Sequence, residues 1–350
     1  MKESQNKKRL QLFNIAKDGK GVSKNNDLQK GSMKHFFASY KTNFGKLVST
    51  NIIMVLCNFP VLFLIATLSG VTKVDAFVPM QDLFQSISGV FANTAPNPSN
   101  SIIYALTGLQ NQILVPTTLT YVFYGIAALT LLSFGIVNVG TAYILRNLAK
   151  GEPVFVWSDF VYAVKRNWKQ ALPFGIIDIA INFILCYNLY TLLFGASGFM
   201  QGFIFWANVA IFIIYFFMRY YIYVQMVTFK LSVFKIIKNS LIFSILGLKR
   251  NFVALFGIII FIFLEALSLF GAGGILLPFA IAIPLCVLLS NTAYMKVYAS
   301  YYKIKDVMID PYLKDHPEEA ESTDNDEVIM SDDVTEKERL EEIKRRNGIG

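Results

Sequence analysis

Asp178, Arg219 and Glu265 lie inside long apolar runs, where an ionised side chain is costly and is kept by a partner, by water or by a task. Asp178 sits in "FGIIDIAINF", Arg219 in "MRYYIY" and Glu265 in "FIFLEALSLF". Taking a helix that begins near Ala171 and another that ends near Phe229, Asp178 and Arg219 fall at about 12 and 16 Å of depth. They could pair across neighbouring antiparallel helices or line a solute or proton path. Alternatively, Arg219 snorkels to the headgroups within a tyrosine belt, the reading its neighbours Tyr220, Tyr221 and Tyr223 favour. Glu265, nearer the far boundary, is either a proton or cation site or a carboxyl that stays hydrated.

Other chemistry is poorly provided for. Cys57, Cys186 and Cys286 all lie in apolar runs without a C-x-x-C spacing, and His35 and His316 stand far apart outside them. No metal, cofactor or catalytic residue is therefore expected, and no nucleotide-binding loop or nucleophile elbow appears. Asn138, Asn182, Asn188 and Asn208 could bond across helices, and Pro60, Pro173, Pro278 and Pro284 could kink them.

The elements that must position these residues follow from composition. Of 350 residues 54% are apolar and 16% charged, which points to a polytopic membrane protein. Six runs reach the roughly 20 residues a bilayer core requires: 44–68, 120–145, 171–194, 203–229, 252–270 and 274–294. The expected fold is all-α, a six-helix membrane bundle of three hairpins.

Lys and Arg number 11 in the arm through Lys46 and 5 in each of the loops 146–170 and 230–251, against Lys73 alone between 69 and 119. Cationic segments stay inside, so both termini are expected in the cytoplasm. The chain divides into a basic arm (1–43), a transmembrane domain (44–305) with an outside loop at about 69–119, and an acidic tail (306–350). That tail has 15 acids and 6 bases and is expected to be largely disordered, apart from a solvated helix capped near Ser331. In the outside loop, "MQDLFQSISGVFAN" and "SIIYALTGLQNQI" could be surface helices. The basic charges border apolar segments, so anionic lipid is their expected partner and nucleic acid is not.

A short motif recurs: "KRNW" at Lys165, "KRNF" at Lys249 and, more weakly, "KTNF" at Lys41. At a helix that starts from the cytoplasm the cations hold the end inside, the Asn caps backbone N–H groups, and the ring suits the headgroup layer. The flanks "KRNWKQALPFGII" and "KRNFVALFGIII" share further positions, and "GTAY" and "NTAY" are expected to close the second and sixth helices. Either duplication of a hairpin or independent selection at the interface accounts for this. The segment "WSDFVYAVKR" reads as a short amphipathic helix capped at Ser158, lying on the membrane or docking into a partner.

The stretch "GTAYILRNLAKGEPVFVWSDFVYAVKRNWKQALPFGII" resembles the YesL-like family of bacterial integral membrane proteins, through Gly151-Glu152, Asp159-Phe160, Lys165 and Asn167. "FKLSVFKIIKNSLIFSILGLKRNFVALFGI" is similar to that family's second cytoplasmic loop. The likeness runs from about Phe36 to Tyr302 without the loop between the first two helices, which is longer here. It implies a Gram-positive membrane protein of unknown molecular activity, encoded beside carbohydrate-uptake and glycan-degrading genes. An accessory to a sugar-uptake transporter complex, with Gly151 to Asn167 as a cytoplasmic contact motif, is the function it implies. A small-solute transporter using Asp178, Arg219 and Glu265 is the alternative.

Overall fold

The computed structural model describes residues 29–79, 97–99, 102, 110–195, 198–271 and 274–315. Among these residues it is an all-α bundle with one short β-ribbon. Helix α1 spans Met33–Thr42, α2 Phe44–Cys57 and α3 Pro60–Leu68. After the ribbon come α4 (Thr118–Ala128), α5 (Thr130–Lys150), α6 (Val156–Gly195), α7 (Phe199–Thr228) and α8 (Val233–Leu246). Then follow α9 (Leu248–Phe270), α10 (Leu277–Ile283), α11 (Leu289–Ile304) and α12 (Asp310–Asp315).

Five helical stretches are long and apolar enough to cross a membrane: Thr118–Lys150, Val156–Gly195, Phe199–Thr228, Leu248–Phe270 and Leu277–Lys314. The number rises to six where the pair Met33–Cys57 and Pro60–Leu68, bent by 60° at Pro60, which lacks a backbone donor, counts as one broken span. The chain is thus a polytopic membrane bundle, as composition requires. Exposed Phe183, Tyr187, Phe203, Trp206 and Phe263 give it an apolar girdle fit for lipid.

Both described ends of the chain lie at one end of the bundle. Tyr298 donates to the Ser32 carbonyl at 2.9 Å, Tyr302 to the Ala149 carbonyl at 2.8 Å, and Arg250 pairs with Asp306 at 3.0 Å. At the opposite end the strands Lys73–Pro79 and Gln110–Pro116 pair antiparallel, Lys73 against Pro116. The ribbon is tied down by Thr117 and Thr120, whose hydroxyls both reach the Thr72 carbonyl at 2.7 Å. Gln110 to Ile113 are therefore strand, which corrects the surface helix expected there; "QILV" is β-prone and finds a partner in "KVDAFV".

Helix α5 is central, packed on α6, α7, α11 and α2. Its closest approach is to α6, where Gly135 and Gly175 meet backbone to backbone: a Cβ on Gly175 would lie 2.5 Å from Gly135 Cα. Small residues at such a crossing let membrane helices pack without side chains between them. The last span is interrupted by a π-turn at Pro284–Leu288. Asn51, buried on α2, donates to the Pro284 and Leu285 carbonyls at 2.9 and 2.8 Å and accepts the Ser290 N–H, so the break exposes no bare polar group to lipid.

Several boundaries differ from the sequence reading. Tyr143 and Tyr294, in "GTAY" and "NTAY", are buried inside helices that continue to Lys150 and Ile304, so these motifs do not end them. The segment "WSDFVYAVKR" is the first part of α6 rather than a separate surface helix, because "NWKQALPFG" holds nothing that stops a helix except Pro173, which α6 accommodates. The basic arm is helical from Met33 and buries Phe36. The last helical stretch runs past residue 305 to Lys314 and buries Ile309. Residues 1–28, most of the outside loop and 316–350, including the helix expected near Ser331, lie outside the described residues.

Candidate functional site

Asp178 is wholly buried, three residues beyond the Gly175 crossing on α6. Opposite it, α7 presents Tyr215, Arg219 and Tyr223 at intervals of four, a single helical face. All three converge on the carboxylate. Arg219 Nε lies 2.8 Å from Oδ1 and 3.1 Å from Oδ2; the Tyr215 and Tyr223 hydroxyls donate at 2.8 and 2.7 Å. Asn182 Nδ2, one turn along α6, donates a fifth contact to Oδ1 at 2.7 Å.

Arg219 therefore does not snorkel, contrary to the reading its tyrosine neighbours favour. Its guanidinium turns inward, with Cζ 5.6 Å from the centre of the Phe134 ring. A buried carboxylate draws an arginine far more strongly than the headgroup layer does, because unpaired it would cost several kcal/mol. Glu265 is not brought to this cluster: it sits on α9, half-buried, with Oε2 lacking a hydrogen-bond partner among the described residues. Of the four asparagines named from the sequence, Asn208 reaches another helix, at 3.4 Å from the Leu185 carbonyl, while Asn138 and Asn182 bond within their own.

Beside Arg219 a small cavity of about 60 Å³ opens between α5, α7 and α11. Asn138, Thr141, Arg219, Tyr220 and Lys296 supply its polar lining. Lys296 lies just past the expected last span, where it reads as one more flanking charge; the continuation of α11 draws it into the bundle, its Nζ 5.5 Å from the centre of the Phe216 ring.

A second arginine is deeper still. Arg146, 7% exposed, donates to the Val227 carbonyl at 2.7 Å and to Asn147 Oδ1 at 2.8 and 3.0 Å, with Cζ 4.8 Å over Tyr143. Arg166 reaches the same Val227 carbonyl at 2.8 Å. Two guanidiniums thus meet the carbonyl end of α7, where the helix dipole favours cations. Arg146→Met should lower stability by about 2–4 kcal/mol, since it removes charged hydrogen bonds inside a packed core. Thermal unfolding in detergent, followed by tryptophan fluorescence, reads this; a variant as stable as the parent would remove Arg146 from the core's support.

The residues of the expected contact motif also shape the local architecture. Gly151 ends α5 at φ 85°, a left-handed conformation that suits glycine. Glu152 pairs with Lys150, and the Asp159 carboxylate accepts the Phe155 N–H at 2.9 Å at the start of α6. Phe160 is buried against Gly140, where a Cβ would strike its ring at 2.4 Å. Of the six residues Gly151 and Lys165 are exposed, and Phe155 and Trp157 are exposed beside the motif. The asparagines of the repeat donate to carbonyls rather than cap: Asn43 to Ser39, Asn167 to Ala163 and Asn251 to Ser244. The flanks diverge, with Phe174 buried and its counterpart Phe256 exposed.

Comparison with family models, curated proteins and solved structures gave no match. The site's chemistry therefore rests on its own geometry. With five contacts on two oxygens, the Asp178 carboxylate has little capacity left to take up a cation or relay a proton, and it acts as a clasp between α6 and α7.

Proposed function

We propose that this chain is a non-enzymatic accessory protein of the bacterial cell membrane, working with carbohydrate-uptake machinery, with both termini in the cytoplasm. The observation that carries the non-transport part is the saturated Asp178: the one fully buried carboxylate among the described residues is held by Arg219, Tyr215, Tyr223 and Asn182. The carbohydrate context rests on the resemblance to YesL-like proteins, and the orientation on the Lys and Arg of the arm and loops.

A small-solute transporter is the second reading, favoured by the cavity beside Arg219. Against it, Asp178 has little acceptor capacity left and Glu265 stands apart, so the three ionisable residues do not form one path.

Two measurements separate these readings. Purification in mild detergent should recover a stable membrane partner, and the isolated protein in liposomes should show no solute flux above empty vesicles. Robust flux by the isolated protein, lost in Asp178→Asn, overturns the accessory reading. A C-terminal fluorescent reporter should fold and a C-terminal alkaline phosphatase stay inactive; the reverse places the termini outside.

A further inference from the structure

The cavity between α5, α7 and α11 is lined by two cations, Arg219 and Lys296, and by no carboxylate. Lys296 has no carboxylate partner among the described residues, and the Phe216 ring 5.5 Å away is the contact its ammonium makes. Arg219 reaches Asp178 through Nε, which leaves its two Nη groups without a hydrogen bond among the described residues. Tyr220 is 2% exposed, lines the same cavity, and has a buried hydroxyl with no partner.

The neighbouring polar groups carry no charge to balance these cations. Asn138 donates to the Phe134 carbonyl, Thr141 to the Val137 and Asn138 carbonyls, and Tyr223 to Asp178. One carboxylate, Asp178, stands against two cations, so the cluster of Asp178, Arg219 and Lys296 carries a net positive charge inside a low-dielectric wall. An unpaired ammonium and a guanidinium edge without a partner are costly in such a wall, and one anion in contact with both lowers that cost. A cavity of about 60 Å³ holds about four waters by the same measure, and hence one tetrahedral oxyanion.

We propose that this cavity binds one small oxyanion of the phosphate class, held by the Lys296 ammonium and the free edge of the Arg219 guanidinium. A guanidinium and an ammonium together suit such an anion, the fork matching its oxygens and the ammonium acting as a point charge. The occupant is either free phosphate or the phosphate of a lipid headgroup. The site goes beyond the accessory reading and does not depend on it.

The test uses the full chain in a maltoside detergent, with inorganic phosphate as the probe and chloride at equal ionic strength as the control. The unfolding midpoint should rise saturably with phosphate and not with chloride. Lys296→Gln should weaken the apparent affinity at least tenfold, and Lys296→Arg should retain most of it. Tyr220→Phe is the control, because it deletes a hydroxyl that is closed off from the cavity; it should fold and bind phosphate as the parent does. In nanodiscs, suppression of the phosphate response by phosphatidylglycerol but not phosphatidylcholine identifies a headgroup as the occupant, and persistence in both identifies the free ion. Equal phosphate responses in the parent and Lys296→Gln overturn the site. So does the absence of any phosphate response in detergent together with equal stability in the two lipids.

Discussion

Arg219→Gln is expected to destabilise the bundle by about 3–5 kcal/mol, more than any other single change to the polar cluster. It leaves the Asp178 carboxylate, fully buried, with neutral donors only: two tyrosine hydroxyls and the Asn182 amide. Asp178→Asn should be milder, because Arg219 keeps 21% of its side chain exposed and borders a cavity that can hold water or an anion. The double variant Asp178→Asn with Arg219→Gln should recover part of the loss, since no uncompensated charge remains. Equilibrium unfolding of the four proteins in mixed micelles gives the coupling energy directly. If Arg219→Gln costs no more than Asp178→Asn, the arginine is not what keeps that carboxylate buried. The accessory reading predicts that these variants change stability and not the identity of any co-purifying partner.

How far the sequence could be read depended on whether a signal was local. The apolar runs marked every span, because the bilayer sets their length and allows little else. Helix ends were missed where helices continue beyond the membrane: Asp310 to Asp315, the start of α6 and the last turns of α5 are polar enough to look like loops. Packing decides those segments, as Phe160 against Gly140 and Ile309 in the core illustrate. The ribbon was missed because its two strands lie over 30 residues apart.

The site was half legible. Asp178 and Arg219 stood out as charges in apolar runs, and the spacing Tyr215, Arg219, Tyr223 already put two hydroxyls on the arginine's face, a sign of an inward partner rather than a belt. Lys296 and Arg146 gave no such sign, since each follows an apolar run as an ordinary flanking cation does. Only the continuation of their helices inward places Lys296 beside Arg219 and Arg146 against the end of α7.

The second large effect concerns the crossing that puts Asp178 in place. Gly175→Val should abolish a monodisperse folded protein or lower stability by more than about 4 kcal/mol, a range reserved for steric failure in a packed core. A Cβ at Gly175 would lie 2.6 Å from Gly135 N and 2.5 Å from its Cα, and one at Gly135 would lie 2.0 Å from the Ala171 carbonyl oxygen. Both obstacles are backbone, so no rotamer relieves them and the helices must separate. Separation draws Phe134 away from Arg219 and moves α6 off α5 one turn before Asp178, so the clasp with α7 loses its backing. Gly125→Ala is the control: it stands in helix α4 with open space around its Cβ, and should be neutral or stabilise by up to about 1 kcal/mol through helix propensity. Size-exclusion profiles and melting curves of the two variants decide the matter. A Gly175→Val protein that melts with the parent would mean that α5 and α6 do not cross at these glycines.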